Sequence, residues 1–541
     1  MLFEDEHLLA VNKPAGWNTH APAPFAGEGI YDWLRHRDPR WAALALIHRL
    51  DKETSGVLLF AKTALARRSL TDQFTRRSVR KRYLLFTDRP PREAAFLVRS
   101  CLVRAGEKYL SRPPHAGGEL AETHFRALQS REAGRWLSAA GPGIRDVTVL
   151  EAEPRTGRTH QIRVHAAEVG LPILGDTLYG GSPAPRVCLH AAGLRFLHPA
   201  SEHPLEIVAP LPRLDQPRLE LRHALFDPER TNTYRLVHGA SDGWPGWYVD
   251  RLGDYLLSQA EEPLTGAQQQ HLEWLLTIVG ARGAYHKRLS RQVRQTPPEA
   301  ASPQPVLGQA APERFAVREN GLQFELSFHE GYSVGLFLDQ RDNRRRLLAG
   351  HVGAGFGLAP ALNETGRNLE VLNTFAYTCA FSVCAARAGA RVTSLDLSKK
   401  YLDWGRRNFS LNQLDPAAHD FIFGDAFDWL RRLDKKGRRF DLVLLDPPTF
   451  SQSKQSGVFR AARDYGRLVR SAAALLRPGG ILFASSNAAG WAPEDFQKTV
   501  LSALSAAGWA ARQSHYVPQP PDFPISREEP AYLKTLWLKL E

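Results

Sequence analysis

Residues 441–448 read Asp441-Leu442-Val443-Leu444-Leu445-Asp446-Pro447-Pro448, an apolar run that ends in a carboxylate and two prolines. Strand-like runs of the same kind flank it: Leu369–Leu372, Arg391–Leu395 closing on Asp396, Phe421–Phe423 before Gly424-Asp425, and Gly480–Ala484. Helix-like stretches separate them. Strand–helix alternation at this rhythm predicts a parallel, doubly wound sheet. Ligands of such sheets bind at the carboxyl ends of the strands, where Asp396, Asp425 and Asp446 fall. An acid closing the second strand suits two ribose hydroxyls. A dinucleotide dehydrogenase would show G-x-G-x-x-G after the first strand, and no such string is present.

Upstream the texture changes. Short runs such as Val57–Phe60 and Tyr83–Phe86 mix with turns and one basic helix-like stretch, which predicts a mixed α+β sheet domain. The chain has 541 residues, and single cores stop growing at about 250–300, so two or three domains are expected. One boundary falls in the proline-rich stretch from Pro199 to Pro217. A second falls at Thr296–Pro312, which reads as a linker or long loop. The expected division is 1–213, 230–330 and 331–541.

Composition excludes several classes. With 43% hydrophobic and 23% charged residues, wholesale disorder is excluded. No apolar run reaches the ~18 residues of a spanning helix. The N-terminus is acidic, without the order of a signal peptide. Four cysteines without a CxxC pair support neither a zinc knuckle nor a disulfide framework. A reduced, cytoplasmic protein without a metal is expected. The formal charge is +13. Residues 1–213 carry 30 basic and 22 acidic side chains, hence +8 of it. The window Lys62–Arg82 holds eight basic residues against Asp72 alone. Such a run is either a solvated face or a track for a polyanion.

The string His48-Arg49-Leu50-Asp51-Lys52-Glu53-Thr54-Ser55-Gly56 sets one carboxylate among cations. Flanking cations keep a carboxylate ionised, as a nucleophile or base must be. Composition alone does not separate this from a surface ion-pair cluster. The exact order of residues resembles the signature of RluA-type pseudouridine synthases. Further blocks follow in that family's order: Asn12-Lys13-Pro14-Ala15-Gly16, Lys81-Arg82-Tyr83, Thr156-Gly157-Arg158-Thr159-His160-Gln161-Ile162-Arg163-Val164-His165, Gly170–Asp176 and Leu189-His190-Ala191. The resemblance covers about residues 1–210. It implies isomerisation of uridine in RNA without a cofactor. By the same resemblance Asp51 is the essential aspartate, as nucleophile or as base. Tyr83 packs on the base, Arg163 is the basic partner of Asp51, and Arg49 fills the stack when uridine is extruded. Lys13, Arg76, Arg77, Lys81, Arg82, Arg158 and His160 are expected to meet RNA.

The C-terminal blocks resemble class I S-adenosylmethionine-dependent methyltransferases, and more closely an RlmK/RlmI-like ribosomal RNA methyltransferase group. The residues concerned are Phe337-Leu338-Asp339-Gln340-Arg341, Leu372–Thr378, Tyr401-Leu402-Asp403-Trp404, Asn408, Leu411-Asn412 and Asp446–Lys454. Arg235–Gly246 and Val249-Asp250-Arg251 resemble the small α+β domain that precedes the catalytic one, so this likeness covers about 230–541. It implies a Rossmann-like α/β domain. Asn373, Phe375, Tyr377, Thr378, Asp396, Asp425, Asp446 and Pro447 would hold S-adenosylmethionine, with Asp446 also facing the methyl group and base. Asp339, Gln340 and Arg341 would line the entry. Cys379 and Ala380 replace glycines expected after the first strand, which puts close backbone approach to the cofactor in question. Carbon-5 methylation of cytosine needs a cysteine nucleophile, which RlmI-like proteins carry in the block matching Phe483–Asn487. No cysteine follows Cys384 here. Ser485-Ser486-Asn487 instead resembles the RlmK block, so guanine N7 is the expected target and Asn487 a site residue. The alternatives are a synthase with an inactive, RNA-binding methyltransferase-like half, a non-enzymatic ribosome-assembly factor, and a small-molecule methyltransferase. The string of residues does not fix the oligomeric state.

Overall fold

The computed structural model describes residues 1–141, 146–289, 302–330, 333–358, 369–453 and 457–541. It divides into two compact units. The first holds Met1–Pro22, Gly29–Arg35 and Ala43–Leu225; the second holds Phe226–Glu541 together with Ala23–Glu28 and His36–Ala42. The first unit continues past residue 213 and includes helix Pro217–Leu225, in which Leu219, Leu221 and Leu225 are buried.

The first unit is built on a mixed sheet of eleven strands. Ser55–Ala61 runs parallel to Leu189–Leu197, and Leu189–Leu197 runs antiparallel to Arg80–Thr87. Ala191 lies opposite Gly56 on one side and Tyr83 on the other. The crossing explains the glycine that ends the Asp51 string. Gly56 has φ +118°, and a Cβ there would lie 2.2 Å from the Ala191 carbonyl oxygen. Strand Ser55–Ala61 is buried throughout, which is why its sequence is a continuous apolar run.

The second unit contains two main sheets. Thr233–His238, Trp247–Leu252, Tyr255–Ala260, Gly283–Arg288 and Gln304–Gly308 form the first, in that order. The last of these falls inside the stretch expected to be a linker. Residues 296–301 lie outside the described residues, but Gln304–Gly308 pairs with Gly283–Arg288 as an edge strand. Pro305 is tolerated because an edge strand leaves one side unpaired. The second sheet has seven strands. Numbered along the chain from Glu370–Thr374, their order is 3-2-1-4-5-7-6. The first five are parallel, as expected. The last two, Ala511–Val517 and Lys534–Leu540, form an antiparallel pair at the edge, so the sheet is not wholly parallel.

Among the described residues no helix is long and apolar enough to cross a membrane. All four cysteines are free and buried. Among the described residues one group of ligand-type side chains clusters, Glu28, His36 and Asp342. Arg346 bonds Glu28 at 2.8 Å and Arg37 reaches Asp342 at 3.4 Å. Guanidinium groups already neutralise both carboxylates.

Candidate active sites

The first site is a cleft of ≈ 880 Å³ in the first unit. Asp51 lies in its lining with Tyr83, Arg163, His160 and the cations Arg49, Arg77, Lys81, Arg155 and Arg158. The turn that carries Asp51 is pinned from several sides. Thr19 Oγ1 donates to the Leu50 carbonyl at 2.7 Å. Gly16 N–H donates to the Lys52 carbonyl at 2.9 Å. Lys13 Nζ donates to Pro14, Trp17 and Lys52 carbonyls at 2.9, 2.7 and 3.1 Å. From the other flank, Arg186 Nη2 donates to the Glu53 carbonyl at 3.1 Å and to Ser55 Oγ at 3.0 Å. Lys13 and Arg186 are both buried, so two enclosed cations stand behind the carboxylate turn.

This corrects one expectation. Lys13 is wholly buried and cannot meet RNA; it ties the Asn12–Gly16 loop to the Asp51 turn. Burial first, then the charge of Arg186, pulls its ammonium down to about 7. Lys13→Met strands three carbonyl acceptors. A loss of about 3 kcal/mol of stability is expected, read as a lower midpoint in urea unfolding.

Arg82 takes another direction from its neighbours on the strand. Side chains alternate along a strand. On Arg80–Thr87, Lys81 and Tyr83 line the cleft, and Arg82 is not among the lining residues. It approaches Glu151 at 3.9 Å. Lys81 Nζ donates to the Thr156 carbonyl at 2.7 Å, and burial with the Arg77 charge lowers it to about 8. Arg77 lines the cleft; Arg76 is exposed and pairs with Asp72.

Arg163 is the second correction. Its guanidinium makes a bidentate pair with Asp176, at 2.7 and 2.8 Å, and lies 5.1 Å from the Tyr179 ring centroid. No ion pair with Asp51 forms among the described residues. Burial works against the Arg163 charge, yet Asp176 and the more distant Asp51 hold it above its ordinary value. His160, in a left-handed conformation at φ +56°, shares a 2.8 Å hydrogen bond with the Tyr179 hydroxyl. Tyr83 is half-buried, and its phenol is pushed up by burial and then by Asp51. It therefore presents a neutral hydroxyl.

The second site lies at the carboxyl edge of the seven-stranded sheet. Strand order reverses at Glu370–Thr374, whose neighbours are Arg391–Asp396 and Phe440–Leu445, so a crevice opens there. The loop Phe375–Cys379 follows the first strand. Phe375, Tyr377 and Cys379 have φ of +57°, +49° and +63°, a costly sequence of left-handed turns for side-chain-bearing residues. Asp396 accepts from Tyr377 N–H at 2.8 Å through one oxygen and from Ser398 N–H at 2.8 Å through the other. Burial raises it above the usual carboxylate range. Asp425 caps helix Ala426–Lys435 by accepting from Asp428 N–H at 3.1 Å. Two exposed apolar side chains flank these acids, Leu397 and Phe423. Sequence reading missed them, although an apolar residue beside each strand-end acid was a usable signal.

Asp446 and Asp339 form an acid pair. Gln340 Nε2 donates to Asp446 Oδ1 at 3.1 Å and to Ser485 Oγ at 2.7 Å. Tyr532 donates to Asp339 at 3.1 Å. Burial pushes Asp446 up to about 6, and Asp339 adds to it. Asp339 is likewise raised by burial.

Three expected residues are tied down elsewhere. Arg341 is buried against Asp522 in a bidentate pair, so it does not line an entry. The Asn373 side chain donates to Ser382 Oγ at 2.9 Å, and Thr378 Oγ1 donates to the Gly335 carbonyl at 2.6 Å. Both side chains are buried, leaving only their backbone for a ligand. Asn487 is exposed just past the strand. It is Ser486 that caps there, accepting from Ala488 N–H at 3.3 Å. Cys379 and Cys384 are buried, and burial drives both thiols up, Cys379 to about 12.

A mixed sheet with an aspartate cleft, followed by a Rossmann-like sheet with acids at its strand ends, defines a two-part base-modification architecture. Residues 7–168 match the RNA pseudouridylate synthase family model. Residues 234–539 match the S-adenosylmethionine-dependent methyltransferase model. The chain belongs to that methyltransferase family and carries a pseudouridine synthase domain ahead of it. A ribosomal RNA large subunit methyltransferase of Deinococcus radiodurans is 36% identical over 360 residues, 64% of this chain and 83% of that protein. Ribosomal RNA large subunit methyltransferase I of Salmonella arizonae is 32% identical over 391 residues, 72% of this chain and 90% of that protein. The crystal structure of the SMU.776 methyltransferase complexed with SAH aligns with a TM-score of 0.50 at 26% identity, covering 64% of this chain and 88% of that one.

Proposed function

We propose that the protein modifies large-subunit ribosomal RNA twice, isomerising a uridine at the Asp51 cleft and methylating guanine N7 at the strand-end site. The observation that carries the first half is the placement of Asp51 beside a neutral Tyr83 in a cleft rimmed by cations. Arg49, Arg77, Arg155 and Arg158 would bind phosphates of the RNA. Asp51 would act on the nucleoside while Tyr83 packs on the released uracil. The glycosidic C–N bond breaks, the base turns and a C–C bond forms. Nothing is added or lost, so no cofactor is required. The names of the bacterial relatives support ribosomal RNA as the substrate.

For the second half, Asp396 would hold the cofactor ribose, with Asp425 at the adenine edge and Leu397 and Phe423 beside it. S-adenosylmethionine, when bound, supplies an electrophilic methyl group. Asp446 and Asp339 would face the base. Methylation at N7 leaves a positive charge on the purine, and two neighbouring carboxylates would stabilise it. Both nearby thiols are buried and protonated, which favours a ring nitrogen over a carbon that needs a thiolate. If ionised Asp446 is needed, methyl transfer should rise between pH 5 and 7 with its half-maximum near about 6, following the raised Asp446. An Asp446→Asn enzyme should lack that step in its pH profile. The decisive test is mass-spectrometric mapping of ribosomal RNA from cells lacking the gene, with pseudouridine marked by cyanoethylation because it has the mass of uridine. Loss of one pseudouridine and one 7-methylguanine is expected; loss of neither would overturn the reading.

A further inference from the structure

The loop Phe375–Cys379 is clamped from behind by one helix, Lys399–Leu411. Gly405 of that helix is buried, although glycine in a helix interior is unfavourable. A Cβ built on it would lie 2.3 Å from Cys379 Sγ, 2.8 Å from Cys379 Cβ and 3.5 Å from the Thr378 carbonyl oxygen. Cys379 is wholly buried; its side chain fills the space that any side chain at 405 would need. One turn further on, Asn408 Nδ2 donates to the Thr378 carbonyl at 2.9 Å, while Asn408 Oδ1 accepts from Glu325 N–H at 2.9 Å. The side chain that Cys379 brings to a position with φ +63° thus points back into the protein, away from the crevice.

We infer that Gly405 and Cys379 are a matched pair that positions the cofactor loop: the small residue on the helix makes room for the large one in the loop. This rests on reading the loop as the S-adenosylmethionine site. Cys379 is then compatible with close backbone approach on the crevice side, and Gly405 is a positioning residue for cofactor binding though it touches no cofactor.

The test uses the full chain and isothermal calorimetry with S-adenosylmethionine. Gly405→Ala should weaken binding at least about tenfold, because a methyl group in a filled space must displace the loop. Cys379→Gly alone is the reference against which the double variant is read. The double variant Cys379→Gly/Gly405→Ala should recover to within about threefold, since the space is vacated. Unchanged binding in Gly405→Ala, or no recovery in the double variant, overturns the pairing. Should Gly405→Ala fail to fold, a double variant that folds and binds sustains the pairing, and one that does not overturns it. If the parent chain itself binds no S-adenosylmethionine, the cofactor reading fails. The thermal midpoints of the same four proteins then decide the pairing: non-additive shifts sustain it and additive ones end it.

Discussion

Asp51→Asn protein is expected to convert no uridine, a loss of at least about 10³-fold, while binding S-adenosylmethionine and methylating as the parent does. The substitution keeps the shape of the side chain and removes its charge. The turn should persist, because its anchors reach backbone atoms: Thr19 to Leu50, Lys13 to Lys52 and Arg186 to Glu53. Digestion of a short RNA transcript incubated with each protein to nucleosides, with chromatographic separation of pseudouridine from its isomer uridine and mass detection of the methyl group, reads both modifications in one sample. Residual isomerisation within tenfold of the parent would remove Asp51 from the chemistry. A parallel loss of methylation would mean that the variant is damaged globally rather than locally.

The second large effect is expected at the other site. Asp396→Ala removes one backbone anchor of the cofactor loop, from Tyr377, and another from Ser398 at the start of helix Lys399–Leu411, together with the proposed ribose acceptor. Hydrogen bonds to a charged group contribute about 1.5–3 kcal/mol each, so a 100-fold weaker S-adenosylmethionine Kd is a modest expectation. Asp396→Asn, which keeps a carbonyl acceptor, should fall between the two. Isomerisation of uridine should not change in either. Calorimetry gives the Kd directly, and equal binding by parent and Asp396→Ala would place the cofactor elsewhere.

What could be read from the chain depended on the kind of signal. Ser55–Ala61 and Phe440–Leu445 are buried strands and so are nearly unbroken apolar runs; their sequences admit few other readings. Ala511–Val517, with Arg512, Gln513, Ser514 and His515 in it, is an edge strand whose polar residues hide its period. Gln304–Gly308 was obscured by Pro305. The sites divide the same way. Ordered motifs located Asp51, Tyr83, Lys81 and Arg158, and the cleft brings them together. Charge did not show which way a side chain points. Lys13 reads as an RNA contact by its charge, yet it is enclosed, and Arg82 lies one residue out of phase with Lys81 and Tyr83. The partner of Arg163 was equally hidden. Asp176 comes to it through the turn at Gly175, where φ is +82° and a Cβ would lie 1.8 Å from the Arg186 carbonyl oxygen. No linear pattern encodes that closeness.

The burial of every cysteine has a practical side. Cys101 and Cys188 sit in the first unit, Cys379 and Cys384 in the second. An alkylating reagent in solution finds no accessible sulfhydryl on the intact chain, and each pair is reached only when its own surroundings open. The protein thus carries two internal clocks, one per unit. Peptide mapping of labelled protein can time the opening of the isomerase half and of the transferase half separately, without any engineered probe.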